Sequence, residues 1–191
     1  MTRVIAGRAG GRRLAVPGGQ TTRPTSDRAR EGLFASLTSE FGSFEGVRVL
    51  DLYAGSGAVG LEALSRGAAA AVLVESDSRA AAIVKANIAA VALPGATIVT
   101  DRAERYLTRA PQQREERFDL VFLDPPYAVT AQAVSTALTL LAKGWLAPGA
   151  LVVVERASRD GAHDWPPGYD PGKSRRYGEA SFWYGWYAHE E

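Results

Sequence analysis

Cysteine is absent from this 191-residue chain, which excludes disulfides and thiolate metal sites. The only histidines, His163 and His189, lack ligand spacing, so both are expected to be ordinary loop or surface residues and no metal is expected. Long apolar runs are missing as well. The longest, Ala68 to Val74, is far short of a membrane span, and the N-terminus has no apolar signal-peptide core, so a cytoplasmic protein is expected. No internal repeat or low-complexity segment is visible. With 46% hydrophobic and 23% charged residues, the chain suits one globular domain with a small appendage and leaves no room for a second catalytic domain.

Net charge is nearly absent, at +1, but it is unevenly spread. Residues 1 to 30 hold seven arginines (Arg3, Arg8, Arg12, Arg13, Arg23, Arg28, Arg30) against one acid, Asp27, which gives +6 there and leaves −5 for the rest. Such asymmetry points to a phosphate-facing arm on a near-neutral body, and Gly10, Gly11, Gly18 and Gly19 let its backbone approach a polyanion. Arg3 to Ala6 and Arg12 to Val16 are expected to form a β-hairpin extension, with residues 1–22 as a basic RNA-binding unit ahead of a domain over 23–191. Thr25, Ser26 or Asp27 then offers an N-cap for a helix with Leu33, Phe34 and Leu37 on its apolar face.

From there strand and helix signals alternate. Strands are expected at 47–51, 71–75, 97–100, 118–123 and 150–155, and helices at 57–66, 78–91, 102–109 and 130–142. That order predicts an α/β fold with a doubly wound, mostly parallel sheet and helices on both faces. The aromatic, alternating tail from Arg175 to Tyr187 is expected to add antiparallel closing strands, its rings serving as packing rather than as a base-stacking platform.

The strand ending in Asp51 runs into the turn Leu52-Tyr53-Ala54-Gly55-Ser56-Gly57, whose glycines let a small molecule lie on the backbone. Gly55-Ser56-Gly57-Ala58-Val59-Gly60 also fits the dinucleotide fingerprint, with Glu75 where an acidic partner for ribose is expected. Asp51 separates the two readings. A carboxylate before the turn repels a pyrophosphate held at the helix N-terminus, but attracts S-adenosylmethionine, which has no phosphate and carries an ammonium and a sulfonium. In a sheet of this kind ligands bind outside the carboxyl ends of the strands, where Asp51, Glu75, Asp101 and Asp124 form an acidic rim. Asp51 would face the methionine moiety and Glu75 the ribose hydroxyls, while Asp101 with the backbone of Arg102 and Ala103 would read the adenine.

Asp124-Pro125-Pro126-Tyr127 follows the apolar run Phe118 to Leu123. Two prolines fix φ, remove two donors and leave a rigid ridge of acceptors. An aromatic amine is a poor nucleophile, because its lone pair is delocalised until its hydrogens are held so that the nitrogen can pyramidalise. The Asp124 carboxylate and the Pro125 carbonyl can each accept one such hydrogen while Tyr127 stacks on the base. This chemistry needs positioning and no covalent enzyme intermediate.

The segment from Arg23 to Phe34, the glycine turn and Asp124-Pro125-Pro126-Tyr127, in this order, resemble the bacterial small-subunit (16S) ribosomal RNA guanine-N2 methyltransferases. The resemblance covers nearly the whole length and implies a Rossmann-like class I methyltransferase fold with a seven-stranded sheet. It further implies S-adenosylmethionine as donor, guanine 966 of 16S rRNA as acceptor and a small-subunit or assembly-intermediate partner; a monomer is expected. The chain departs from the pattern at Ala35, where many relatives are expected to have asparagine, and in the Gly/Pro-rich stretch from Ser158 to Gly172. DNA adenine or cytosine, or a protein glutamine, stands as an alternative acceptor for the same chemistry, although no DNA target-recognition domain fits. A non-catalytic RNA-binding assembly factor and a nicotinamide oxidoreductase stand as readings of a different kind.

Overall fold

The computed structural model describes residues 1–18, 25–109, 111, 113 and 116–188. Arg23, expected on the basic arm, along with Gly19 and His189, lies outside the described residues. Five strands run parallel: β3 (Arg48–Asp51), β4 (Ala70–Glu75), β5 (Ala96–Thr100), β6 (Phe118–Leu123) and β7 (Leu146–Ala157). The central strands β3, β6 and the second half of β7 are rich in buried Val, Leu and Phe because both faces are covered, whereas the edge strand β5 is half-exposed. Two antiparallel strands, β8 (Tyr169–Tyr177) and β9 (Ala180–Tyr187), close the sheet in the order β5-β4-β3-β6-β7-β9-β8. The tail thus forms the closing strands expected of it. The chain steps outward from β3 to β5, then returns to β6 on the other side of β3, so the order reverses between β3 and β6 and a crevice opens at their carboxyl ends.

Alternation along the strands divides the core in two. Val49, Leu120, Phe122, Leu151 and Val153 face α1 (Asp27–Phe41), α2 (Ala58–Ser65) and α3 (Ser78–Val91). Leu50, Val121, Leu123, Val152 and Val154 face α4 (Ala103–Leu107) and α5 (Ala131–Leu141). Helix α2 presses on β4 at Gly60, where a Cβ would come within 2.1 Å of Leu73 Cδ2. The stretch from Ser158 to Gly172 begins with a 3-10 turn (Ser158–Asp160) and then lies on the sheet. Trp165 packs against Tyr169, and the Tyr169 hydroxyl donates to Leu138 O on α5 at 2.6 Å. His163 stands edge-on to Trp165 at 4.8 Å and is half-buried rather than a free surface group.

The N-terminal hairpin is shorter than expected. β1 (Thr2–Arg3) pairs with β2 (Arg13–Leu14), and between them the chain leaves the ladder to dock on the C-terminal end of α2. Ile5 and Ala6 N–H donate to the Glu62 carboxylate at 2.7 and 3.1 Å, Arg8 N–H to Ser65 O at 2.7 Å, and Ala9 N–H to Ser65 Oγ at 2.9 Å. Gly7 permits this approach, because a Cβ there would sit 2.0 Å from Ser65 O and φ is +81°. Val4, Ala9 and Leu14 belong to the same buried cluster as α1 and α2, so the extension shares the main core. Among the described residues no helix is long and apolar enough to cross a membrane.

Candidate active site

A cavity of about 630 Å³ lies at the carboxyl ends of the parallel strands, lined by Asp51, Glu75, Asp101 and Asp124 at or just past the ends of β3 to β6 and by Glu155 near the end of β7. The glycine turn forms its floor. Leu52 N–H donates to Phe122 O and Ala54 N–H to Val74 O, which pins the turn to both neighbours of β3. Gly57, at φ 81° and ψ 8°, takes the left-handed conformation from which α2 starts. The Glu75 carboxylate accepts from Gly55 N–H at 2.8 Å and from Asp77 N–H at 2.9 Å, so it braces the turn from β4 while lining the cavity. Asn87 on α3 donates to Ser56 O and to Ala15 O and accepts from Ala15 N–H, joining turn and extension through one amide. Sequence reasoning missed Asn87, whose only signal was a polar side chain within an apolar-periodic helix.

Asp51 is 1% exposed, and its Oδ1 has no hydrogen-bond partner. Burial pushes its carboxyl up to about 7, against the pull of the Gly60 and Tyr53 backbone, and the Glu75 charge raises it further. A buried acceptor without a donor, opening on a cavity, suits a ligand that brings positive charge or N–H groups. Asp101 is engaged differently. Its carboxylate pairs with Arg109 at 2.7 Å and Arg105 at 3.7 Å and accepts from Arg102 N–H, beside Ala103 in the cavity wall.

Asp124 and Glu155 stand side by side. Leu123 pairs with Val154 across β6 and β7, and both point into the α4–α5 cluster, so the next residue of each strand turns to the opposite face. There the Thr25 hydroxyl, just ahead of α1, reaches Glu155 Oε2 at 2.7 Å and Asp124 Oδ2 at 3.3 Å. Burial, then the charges of Glu155 and Asp51, hold the Asp124 carboxyl well above the ordinary range, while Thr25 and Arg156 oppose. Burial lifts Glu155 to about 7. Beyond Asp124 the prolines are trans, Pro125 is buried and Pro126 exposed, and the Val129 N–H donates to Pro126 O to close the turn. Tyr127 is 59% exposed at the mouth, with the Arg159 guanidinium 5.5 Å from its ring centroid. Glu155, Thr25 and Arg159 were not singled out for the site. Glu155 ends the expected strand 150–155 and was as legible as the other rim acids.

The expected RNA arginines divide. Arg3, Arg8, Arg13 and Arg28 are exposed. Arg12 is exposed too, but its Nη1 donates to Ala90 O and Val91 O at 2.8 and 3.0 Å, where it caps the C-terminus of α3. Arg30 requires correction. It is 1% exposed, donates to Arg3 O and Thr2 Oγ1, and pairs with Asp27 at 3.3 Å and Glu62 at 3.9 Å, so no phosphate can reach it. The helical period places Arg30 on the same face as Leu33, Phe34 and Leu37, which a reading by charge alone ignores.

Comparison with known proteins is consistent with this architecture. The family described as Conserved hypothetical protein 95 matches residues 2–186. The chain is 35% identical over 180 residues to the Ribosomal RNA small subunit methyltransferase D of Escherichia coli (strain K12), covering 94% of this chain and 87% of that protein. Its counterpart of the same name in Haemophilus influenzae is 37% identical over 157 residues, covering 80% and 77%. Among solved structures, a hypothetical protein of Thermus thermophilus superposes with a TM-score of 0.78 at 35% identity, covering 96% of this chain and 98% of that one. The fold is the Rossmann-like one of class I methyltransferases, with a small N-terminal hairpin.

Proposed function

The chain belongs to the Conserved hypothetical protein 95 family, and from that premise we propose that it is an S-adenosylmethionine-dependent methyltransferase acting on the exocyclic N2 amine of one guanine in 16S rRNA. One observation carries the reading: the unpartnered Asp51 Oδ1 and the Asp124 carboxyl that opens the double-proline turn line the same cavity. The first suits the cationic methionine end of the donor, the second an amine held for attack.

When bound, S-adenosylmethionine supplies a methyl on a sulfonium, whose S–C bond breaks with the electron pair left on sulfur. Asp51 would attract the donor's ammonium, Glu75 would accept from its ribose hydroxyls, and the backbone at Arg102 and Ala103 would read its adenine. Tyr53, Ala54, Gly55 and Ser56 form the surface beneath it, and Gly57 turns the chain from them into α2. Asp124 and the Pro125 carbonyl each accept one hydrogen of the guanine amine, which localises the nitrogen lone pair toward the methyl. The new N–C bond forms as the S–C bond breaks, and the nitrogen then sheds one proton to Asp124, from which it passes to solvent. A carboxyl raised by burial holds such a proton better than an ordinary one. Tyr127 offers its exposed ring to the base drawn out of its stack. Arg3, Arg8, Arg13 and Arg28 meet phosphates of the small-subunit RNA, naked or assembled.

Asp124→Ala is expected to abolish methyl transfer in a single-turnover assay while leaving donor affinity nearly unchanged. Retained activity discards the assignment. Mass mapping of 16S rRNA nucleosides from cells lacking the protein identifies the guanine, and tritiated donor offered to separate RNA, DNA and protein pools tests the alternative acceptors.

A further inference from the structure

Glu155 has no part in holding the donor or the reacting amine, yet it lines the same cavity one strand away from Asp124. The Thr25 hydroxyl spans the two carboxyls, at 2.7 Å to Glu155 and 3.3 Å to Asp124. A hydroxyl has one proton to give, so the pair retains acceptor capacity for something that brings donors. Among the described residues neither acid makes an ion pair. The adjacent Arg156 donates to Val129 O and lies 3.9 Å from Asp160 instead. Asp51, buried with an unpartnered oxygen in the same cavity, shows independently that the space is built for a donor-bearing ligand.

Resting on the guanine-N2 reading, we propose that Glu155 is the specificity-determining residue: it accepts the ring N1–H of guanine while Asp124 accepts the neighbouring N2–H, with Thr25 holding the two carboxyls in register. Adenine and cytosine each present an amine beside a bare ring nitrogen. Guanine alone presents an amine beside a ring N–H. Two adjacent acceptors on the protein match two adjacent donors on the base. Turning either other base into the site sets a ring lone pair against the Glu155 oxygens, and a site built to receive a hydrogen rejects a partner lacking it.

2-Aminopurine keeps the reacting amine and replaces N1–H with a lone pair; it also lacks O6, a difference common to wild type and variants, so the change in base preference on mutation isolates the effect. Small subunits reconstituted with guanine or 2-aminopurine at the methylated position are the substrates. The wild-type protein is expected to prefer guanine by about 100-fold or more in kcat/KM. Glu155→Gln, whose amide can also donate, is expected to narrow that ratio by at least about tenfold while S-adenosylmethionine affinity by calorimetry stays unchanged. Thr25→Val should narrow it in the same direction and Thr25→Ser should restore it; this pair decides the matter if Glu155→Gln does not fold. An unchanged ratio, or equal losses on both bases, overturns the role of Glu155 and leaves the methyltransferase reading intact. Absence of N2-methylguanine with the wild-type protein overturns that reading and this one together.

Discussion

Asp51 holds a proton on folding that the free chain would have released. Its carboxyl rises from 3.8 to about 7, so between those values the folded state binds more protons than the unfolded one. Its contribution to stability is fully present below 3.8 and is lost as pH climbs through about 7. Glu155, raised from 4.5 to about 7, acts in the same direction. The ligand-free protein is therefore expected to melt at progressively lower temperature from mildly acidic to mildly alkaline pH. Asp51→Asn should flatten that trend and weaken donor binding. Calorimetric scans of both proteins across this range check it, and an equal slope in the variant refutes it. At this scale the sequence disclosed Asp51 and Asp124, because each closes a recognisable apolar run beside a turn motif. The link between Asp124 and Glu155 was hidden, since it depends on strand register, which spacing along one chain does not encode.

Helix α2 carries more than the glycine turn. Its Glu62 is fully buried, accepts two backbone N–H groups of the N-terminal extension, and pairs with Arg66 at 2.8 Å and with the buried Arg30. Removing it takes one of two carboxylates from the buried Arg30 guanidinium, whose burial already opposes its charge, and leaves the Ile5 and Ala6 N–H groups without their acceptor. Glu62→Ala is expected to destabilise the protein by ~3–5 kcal/mol and to release the extension to trypsin at Arg8, read from urea midpoints and limited proteolysis. Wild-type-like stability would mean that the network contributes nothing. Elements with strong periodicity were legible: α3 (Ser78–Val91) and β6 (Phe118–Leu123) have the expected bounds. The N-terminal hairpin was foreseen but its short length was not, because Ile5 to Ala9 satisfy their backbone on Glu62 and Ser65, residues distant in sequence whose partnership no local pattern announces.

Across the whole molecule, exposed basic charge on the extension stands apart from a cavity rimmed with acids, so under the proposed function a polyanion would be gripped at one place and its base processed at another. Only the exposed arginines can release counterions. Replacing Arg8 and Arg13 with glutamine is expected to reduce the slope of log affinity against log salt by nearly two units on duplex-like RNA, whereas Arg30→Gln should leave the slope alone and lower the melting temperature. Filter binding across a salt series measures both, and an unchanged slope in the first variant removes the extension from the interface. The alternation of strands and helices was enough to foresee the parallel sheet, and the tail its antiparallel closure. The stretch from Ser158 to Gly172 was opaque, because Trp165 and Tyr169 find their places only once β9 and α5 exist to receive them.

Asn87 gives the two ends of this division a common anchor. One side-chain amide grips Ser56 in the glycine turn and Ala15 just past β2, where the chain leaves the arginine-bearing loop. A tug on either is shared through a single rivet, so a ligand that settles the glycine turn is expected to quiet the arginine-bearing limb, and by thermodynamic reciprocity an anchored limb is expected to tighten that ligand's hold.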